Sequence, residues 1–149
     1  MLEKSSMKEI YFGLGSNLGN REQTIQNALQ KMAEKIGKQQ SCSAFFYSEP
    51  WGYESENGYC NVVACFTTDL ALIDVLHITQ DIEKQLGRLS KSVNGVYHDR
   101  TIDIDLILCF ENGESVSVQT DELTIPHRFM KEREFVMTPL KEICKYPIP

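Results

Sequence analysis

Apolar positions recur along this chain with two different periods, and each change of period marks a change of element. Ile10, Phe12 and Leu14 alternate, which predicts a strand running into Gly13-Leu14-Gly15-Ser16-Asn17-Leu18-Gly19-Asn20. The period then lengthens. Ile25, Ala28, Leu29, Met32 and Ile36 form one helical stripe, with Asn20 as its N-cap and Gly37 as its stop. Residues 41–47 read as a second strand, and 49–58 as a loop carrying Pro50, Gly52, Gly58 and several acids. A third strand over 59–68 is rich in Val, Phe, Tyr and Thr. Leu72, Val75, Leu76, Thr79, Ile82 and Leu86 then share one face of a second helix, which Gly87 ends. A polar loop over 88–99 leads into a fourth strand over 101–108. Asn112-Gly113 is a tight-turn signal opening onto a short strand near 116–118, and the tail holds helical segments near 128–132 and 136–143.

The order β-α-β-β-α-β is the split arrangement of an α+β, ferredoxin-like sandwich. An antiparallel sheet with both helices on one face would bury the two apolar stripes and leave the other face for a site. At 149 residues the chain has the size of a single domain, with residues 1–8 expected to be a flexible N-terminal extension. The net charge of -6 argues against a nucleic-acid binder, which needs clustered Lys and Arg, and no aromatic RNA-binding pattern is present. The N-terminal residues are polar and no apolar run approaches ~20 residues, so neither a signal peptide nor a membrane span is expected. Cys42, Cys60, Cys65, Cys109 and Cys144 are odd in number and show no C-x-x-C spacing. They read as small buried thiols of a cytoplasmic protein. A monomer is the expectation.

Candidate chemistry concentrates in Arg100-Thr101-Ile102-Asp103-Ile104-Asp105-Leu106. On a strand, Asp103 and Asp105 point one way while Ile102, Ile104 and Leu106 point into the core. Paired carboxylates repel unless a cation or donors lie between them, and hard oxygen ligands suit Mg²⁺ shared with phosphates. A D-x-D pair taken alone is more often two solvated acids. Here both acids interrupt an apolar strand, with Arg88, Lys91 and Arg100 just upstream, although a salt-bridge cluster would look the same. The glycine-rich turn at 13–19 matches neither the dinucleotide fingerprint nor a P-loop. It reads either as a turn needing positive φ or as backbone opened to a ligand. Tyr53, Tyr59 and Phe135 are core or rim aromatics, or the walls of a flat-heterocycle site. Asn61 shares a strand face with Tyr59 and offers both a donor and an acceptor. His127 is structural, or a donor to phosphate.

Four blocks together carry a family resemblance: residues 13–20; Tyr47-Ser48-Glu49-Pro50-Trp51-Gly52-Tyr53 with Tyr59-Cys60-Asn61; residues 100–106; and Leu123-Thr124-Ile125-Pro126-His127 with Arg133-Glu134-Phe135. In this order and spacing, over nearly the whole chain, they resemble the 6-hydroxymethyl-7,8-dihydropterin pyrophosphokinases. The resemblance implies an enzyme of folate biosynthesis. It would move a diphosphate from ATP to the pterin hydroxymethyl group and release AMP. Asp103 and Asp105 would hold two Mg²⁺ ions, with Arg88 and Arg100 as further catalytic groups. ATP would be met by Gln80, Glu83, Arg88, Tyr97, Arg100, Ile104, Thr124, His127 and Arg133. The pterin would be met by Glu49, Pro50, Gly52, Tyr53, Tyr59, Asn61 and Phe135. The chain departs from the family pattern at Tyr97-His98-Asp99, where Trp-Gly-Pro is common, and at Glu122 and Arg128. The alternatives are another Mg²⁺-dependent nucleotide-using transferase, or an inactive ferredoxin-like module that binds a small ligand.

Overall fold

The structure is a computed structural model and describes residues 7–48, 58–87 and 102–149. Strand β1 (Lys8–Ser16) is the centre of the sheet. Ile10, Phe12 and Leu14 point to one face and are at most 2% exposed, while Tyr11 points to the other. Helix α1 (Arg21–Lys35) begins where the Asn20 side chain accepts a hydrogen bond from the Gln23 amide at 3.2 Å. Its buried stripe is Ile25, Ala28 and Met32. Of the glycines in the preceding turn, Gly19 takes a positive φ of 64°, whereas Gly13 and Gly15 are strand residues of β1.

The single strand expected over 41–47 is two strands, β2 (Lys38–Cys42) and β3 (Phe46–Ser48), both paired with β4 (Tyr59–Thr68). Ser43 causes the break. Its hydroxyl accepts from the Val63 amide at 3.0 Å and donates to the Ala44 carbonyl at 2.9 Å, so a side chain replaces backbone in the ladder. Helix α2 (Leu72–Gln85) packs Val75, Thr79 and Ile82 beside α1.

Strand β5 (Asp103–Glu111) pairs antiparallel with β1 on the side away from β4. The register shifts between Tyr11 and Phe12, so Ile107 is an extra residue on β5. Asn112 and Gly113, both at positive φ, turn the chain into β6 (Glu114–Ser115). The strand expected near 116–118 is β7 (Val118–Gln119), which forms a separate two-stranded ribbon with β8 (Thr124–Ile125). A 3-10 turn at Met130–Glu132 precedes α3 (Glu134–Ile143).

The main sheet order is β2-β4-β1-β5-β6, with β3 also on β4 and every pairing antiparallel. This is the ferredoxin-like α+β topology. Helices α1 and α2 cover one face over a core that includes Phe12, Ile25, Met32, Phe66 and Ile82. The sequence pattern leaves the opposite face for a site, but the structure covers part of that face. Met130, Val136 and Leu140 close half of it over Tyr11, Val63, Cys65 and Phe110. Helix α3 is itself amphipathic, and its apolar stripe needs this second core. The five cysteines are free; Cys60, Cys65 and Cys109 are buried as expected, whereas Cys42 and Cys144 are half-buried. Among the described residues no helix is long and apolar enough to cross a membrane.

Candidate functional site

On the half of that face not closed by the second core, the ends of β1, β3, β4 and β5 meet the start of α3 around a cleft of about 620 Å³, counting its open mouth. Six residues singled out in the sequence converge here: Asp103, Asp105, Tyr59, Asn61, Arg133 and Phe135. Gly13, Gly15, Ser48 and Val136 join them.

The floor is built from the sheet register. Asp103 lies opposite Gly15 and Asp105 opposite Gly13. A Cβ on Gly13 would lie 3.3 Å from Ile107 Cδ1, so this position of β1 is closely packed against its neighbour. Ile104 and Leu106, between and after the two acids, are buried in the main core and fix the direction in which the acids point. Glu83, 5% exposed on α2, accepts the Ile104 amide at 2.8 Å. It therefore holds the strand between the two aspartates from behind and does not line the cleft.

The opposite wall is set by Asn61, which is 4% exposed. Its amide nitrogen donates to the Phe46 carbonyl at 2.9 Å and to Ser48 Oγ at 2.8 Å. With both hydrogens committed, the side it presents is the acceptor Oδ1. A Cβ on Gly15 would lie 3.0 Å from that oxygen and 3.4 Å from the Tyr59 ring, so only glycine leaves this wall undisturbed. Ser48 lies within the second family block but is not among the predicted site residues. Its signal is positional, since it pairs with Tyr59 at the end of the β3–β4 ladder.

Arg133 and Phe135 enter from the start of α3, with the Arg133 guanidinium over Phe135 at 5.6 Å and over Phe129 at 5.5 Å. His127 is reached through Arg133 and is not a lining residue. Its backbone amide donates to the Ile107 carbonyl at 3.0 Å, tying the segment after β8 to β5. Its ring Nδ1 accepts from the Phe129 amide at 3.3 Å. Burial, then Arg133 and Arg128, pushes the imidazole pKa down. A neutral ring with Nδ1 so engaged carries its proton on Nε2, as a donor.

The remaining positions are dispersed. Thr124 is half-buried on β8, Ile104 lies in the core, and Gln80 is exposed on α2. Glu122 is 3.1 Å from the His77 imidazole of α2. Glu49, Pro50, Gly52, Tyr53, Arg88, Tyr97 and Arg100 lie outside the described residues.

The fold and the cleft define a ferredoxin-like α+β protein that sets a strand-borne diacid beside an amide and aromatic wall. Residues 11–145 match the family model described as 7,8-dihydro-6-hydroxymethylpterin-pyrophosphokinase (HPPK). A 2-amino-4-hydroxy-6-hydroxymethyldihydropteridine pyrophosphokinase of Porphyromonas gingivalis is 42% identical over 96% of this chain and 95% of its own length. One of the same name from Bacillus subtilis is 36% identical over 91% of this chain and 77% of its own. A crystal structure analysis of an HPPK-DHPS in complex with substrates superposes with a TM-score of 0.68. That match covers 93% of this chain and 40% of that one; at 14% identity it is a likeness of fold. The chain belongs to the 7,8-dihydro-6-hydroxymethylpterin-pyrophosphokinase family.

Proposed function

We propose that the cleft between β1, β4 and β5 is where this chain transfers the diphosphate of ATP to the hydroxymethyl oxygen of 6-hydroxymethyl-7,8-dihydropterin. The observation that carries this reading is the convergence of Asp103 and Asp105 with Asn61, Tyr59 and Phe135 in one cleft of a family member. The alcohol oxygen attacks the β-phosphorus of ATP. The bond from that phosphorus to the oxygen bridging it to the α-phosphorus breaks, AMP leaves with that oxygen, and the alcohol proton passes to solvent.

Tyr59 and Phe135 flank the flat pterin ring, and Asn61 Oδ1 accepts from an N–H on its edge. That selects the donor side of the heterocycle, because the amide hydrogens of Asn61 are already committed. Arg133 neutralises phosphate charge and His127 Nε2 donates to a phosphate oxygen. Thr124 and Gln80 lie toward the nucleotide. Glu83 acts through the Ile104 amide, keeping the two aspartates in register.

The diacid fits Mg²⁺ on the donor set and the space around it. Two half-exposed carboxylates line the cleft, and Mg²⁺ completes its shell from phosphate oxygens and water. Asp103 and Asp105 would hold two such ions; when bound, they would offset the charge that gathers on the phosphates. What the chain itself supplies is alignment of alcohol and phosphorus and removal of water from between them.

A monomeric, cytoplasmic enzyme is part of the same proposal. The experiment is to incubate the protein with ATP, Mg²⁺ and the pterin and to separate the nucleotides. Pterin-dependent AMP with little ADP is expected. Pterin-dependent ADP would mean single phosphoryl transfer, and no turnover would end the reading.

A further inference from the structure

On the face of the sheet opposite the cleft, the first turn of α1 meets the end of the β3–β4 ladder. Arg21 Nη1 donates to the Gly58 carbonyl at 2.8 Å, and its guanidinium sits 5.4 Å over the Tyr47 ring. The Tyr47 hydroxyl donates to Glu22 at 2.9 Å. Tyr47 is on β3 and Gly58 immediately precedes β4, so one guanidinium holds both sides of the ladder's end.

The residues next to these two contacts point the other way, into the cleft. Ser48 follows Tyr47 and Tyr59 follows Gly58, and Ser48 and Tyr59 are register partners. Strand β3 spans only Phe46–Ser48, lies at the sheet edge and is off the main strand path, so few backbone bonds fix it. It nonetheless supplies both acceptors that orient the Asn61 amide. A shift of β3 would release that amide to rotate, and a shift at Gly58 would move the Tyr59 ring.

We propose that Arg21 is a positioning residue for the pterin side of the reaction: from behind the sheet it fixes the β3–β4 end that carries Ser48, Tyr59 and Asn61. The inference rests on the reading of function above. It is specific in direction. Asp103 and Asp105 belong to β5, on the far side of β1 from β4, and Thr124 to β8, which packs on β5, so loss of Arg21 leaves these three groups in place.

The test compares wild type, Arg21→Ala and Arg21→Lys, measuring KM for each substrate, kcat and thermal midpoint. Arg21→Ala is expected to raise the pterin KM roughly 10-fold, with the ATP KM and saturated kcat within about two-fold of wild type. Arg21→Lys keeps a charged donor and is expected to recover part of the loss. Tyr47→Leu, which removes the ring from an exposed position, is the second variant and should shift the pterin KM in the same direction. An unchanged pterin KM, or an equal rise for both substrates with a lower thermal midpoint, overturns the proposal. The wild-type lane separates the two claims. Without its AMP the function fails, whereas a turning-over wild type beside an unaltered Arg21→Ala removes this inference alone.

Discussion

Gly15 has an extended backbone that other residues adopt; what excludes a side chain there is the Asn61 oxygen and the Tyr59 ring. Asp105 and Asp103 stand opposite Gly13 and Gly15 and are half-exposed in the cleft. The acids are therefore the residues on which activity should depend most directly. On the proposed assignment, Asp103→Ala and Asp105→Ala should each lower AMP formation by at least about 100-fold while the far-ultraviolet spectrum stays native, since the change removes a proposed metal ligand and no core atom. Near-normal turnover in both would remove the metal assignment. His127 makes a prediction of opposite electrostatic sign. In the free protein its pKa is held down by burial and by Arg133 and Arg128, so the ring is neutral at pH 7. A bound triphosphate would favour the imidazolium, and ATP binding near pH 6.5 should take up a proton. Calorimetry in two buffers of different ionisation heat reads that uptake directly. It should vanish in His127→Gln, together with about a 10-fold loss of ATP affinity.

The elements depend on close approaches as much as on apolar periods. Gly37 ends α1 as the pattern predicts, but a second constraint acts on it. A Cβ there would stand 1.8 Å from the Thr67 carbonyl oxygen of β4. The neighbouring Thr68 hydroxyl donates to the Ile36 carbonyl at 2.8 Å, so helix end and strand end are held together. Gly37→Ala must push backbone from backbone and should destabilise the fold by more than about 3 kcal/mol, read as a lower urea midpoint or loss of soluble protein. A neutral result would mean that the chain relaxes at this crossing. The bulge at Ile107 works at the same scale. Asp103, Asp105 and Ile107 share the cleft-side face, and the extra residue lets Leu108 and Phe110 continue on that face over the second core.

At the scale of the whole molecule, the C-terminal tail is tied to the first strand. The Tyr146 hydroxyl donates to Glu9, Lys145 Nζ lies 2.9 Å from the same carboxylate, and the Lys145 amide donates to the Tyr11 hydroxyl at 3.4 Å. Burial pushes the Glu9 carboxyl up, but the Tyr146 and Lys145 contacts outweigh it and its pKa is lowered. The unfolded chain therefore binds a proton at Glu9 more readily than the folded one. The stabilisation is present above the unfolded carboxyl value, near ~4.3, and is lost as pH falls through the lower folded value. Glu9→Gln should lower the urea midpoint at pH 7 and make its decline on acidification shallower than in wild type. Parallel acid slopes would place the linkage elsewhere.

By itself the sequence determined the period of each main element, the α-to-β order and the opposed directions of Asp103 and Ile104. These follow from local geometry: side chains repeat every 2 residues on a strand and about every 3.6 on a helix. Four spaced blocks also carried the family, because residues of one site keep their order in the chain. The tertiary structure alone decided how those blocks meet. The split into β2 and β3 depends on a serine hydroxyl capturing an amide 20 positions away. The acceptor face of Asn61 depends on two groups of β3, and the close fit at Gly15 on Asn61 and Tyr59 of the neighbouring strand. The cover over half of the second face depends on an amphipathic tail helix whose partners lie on β1, β4 and β5. Each of these is a contact between residues far apart in the chain, and no local period encodes a partner at a distance.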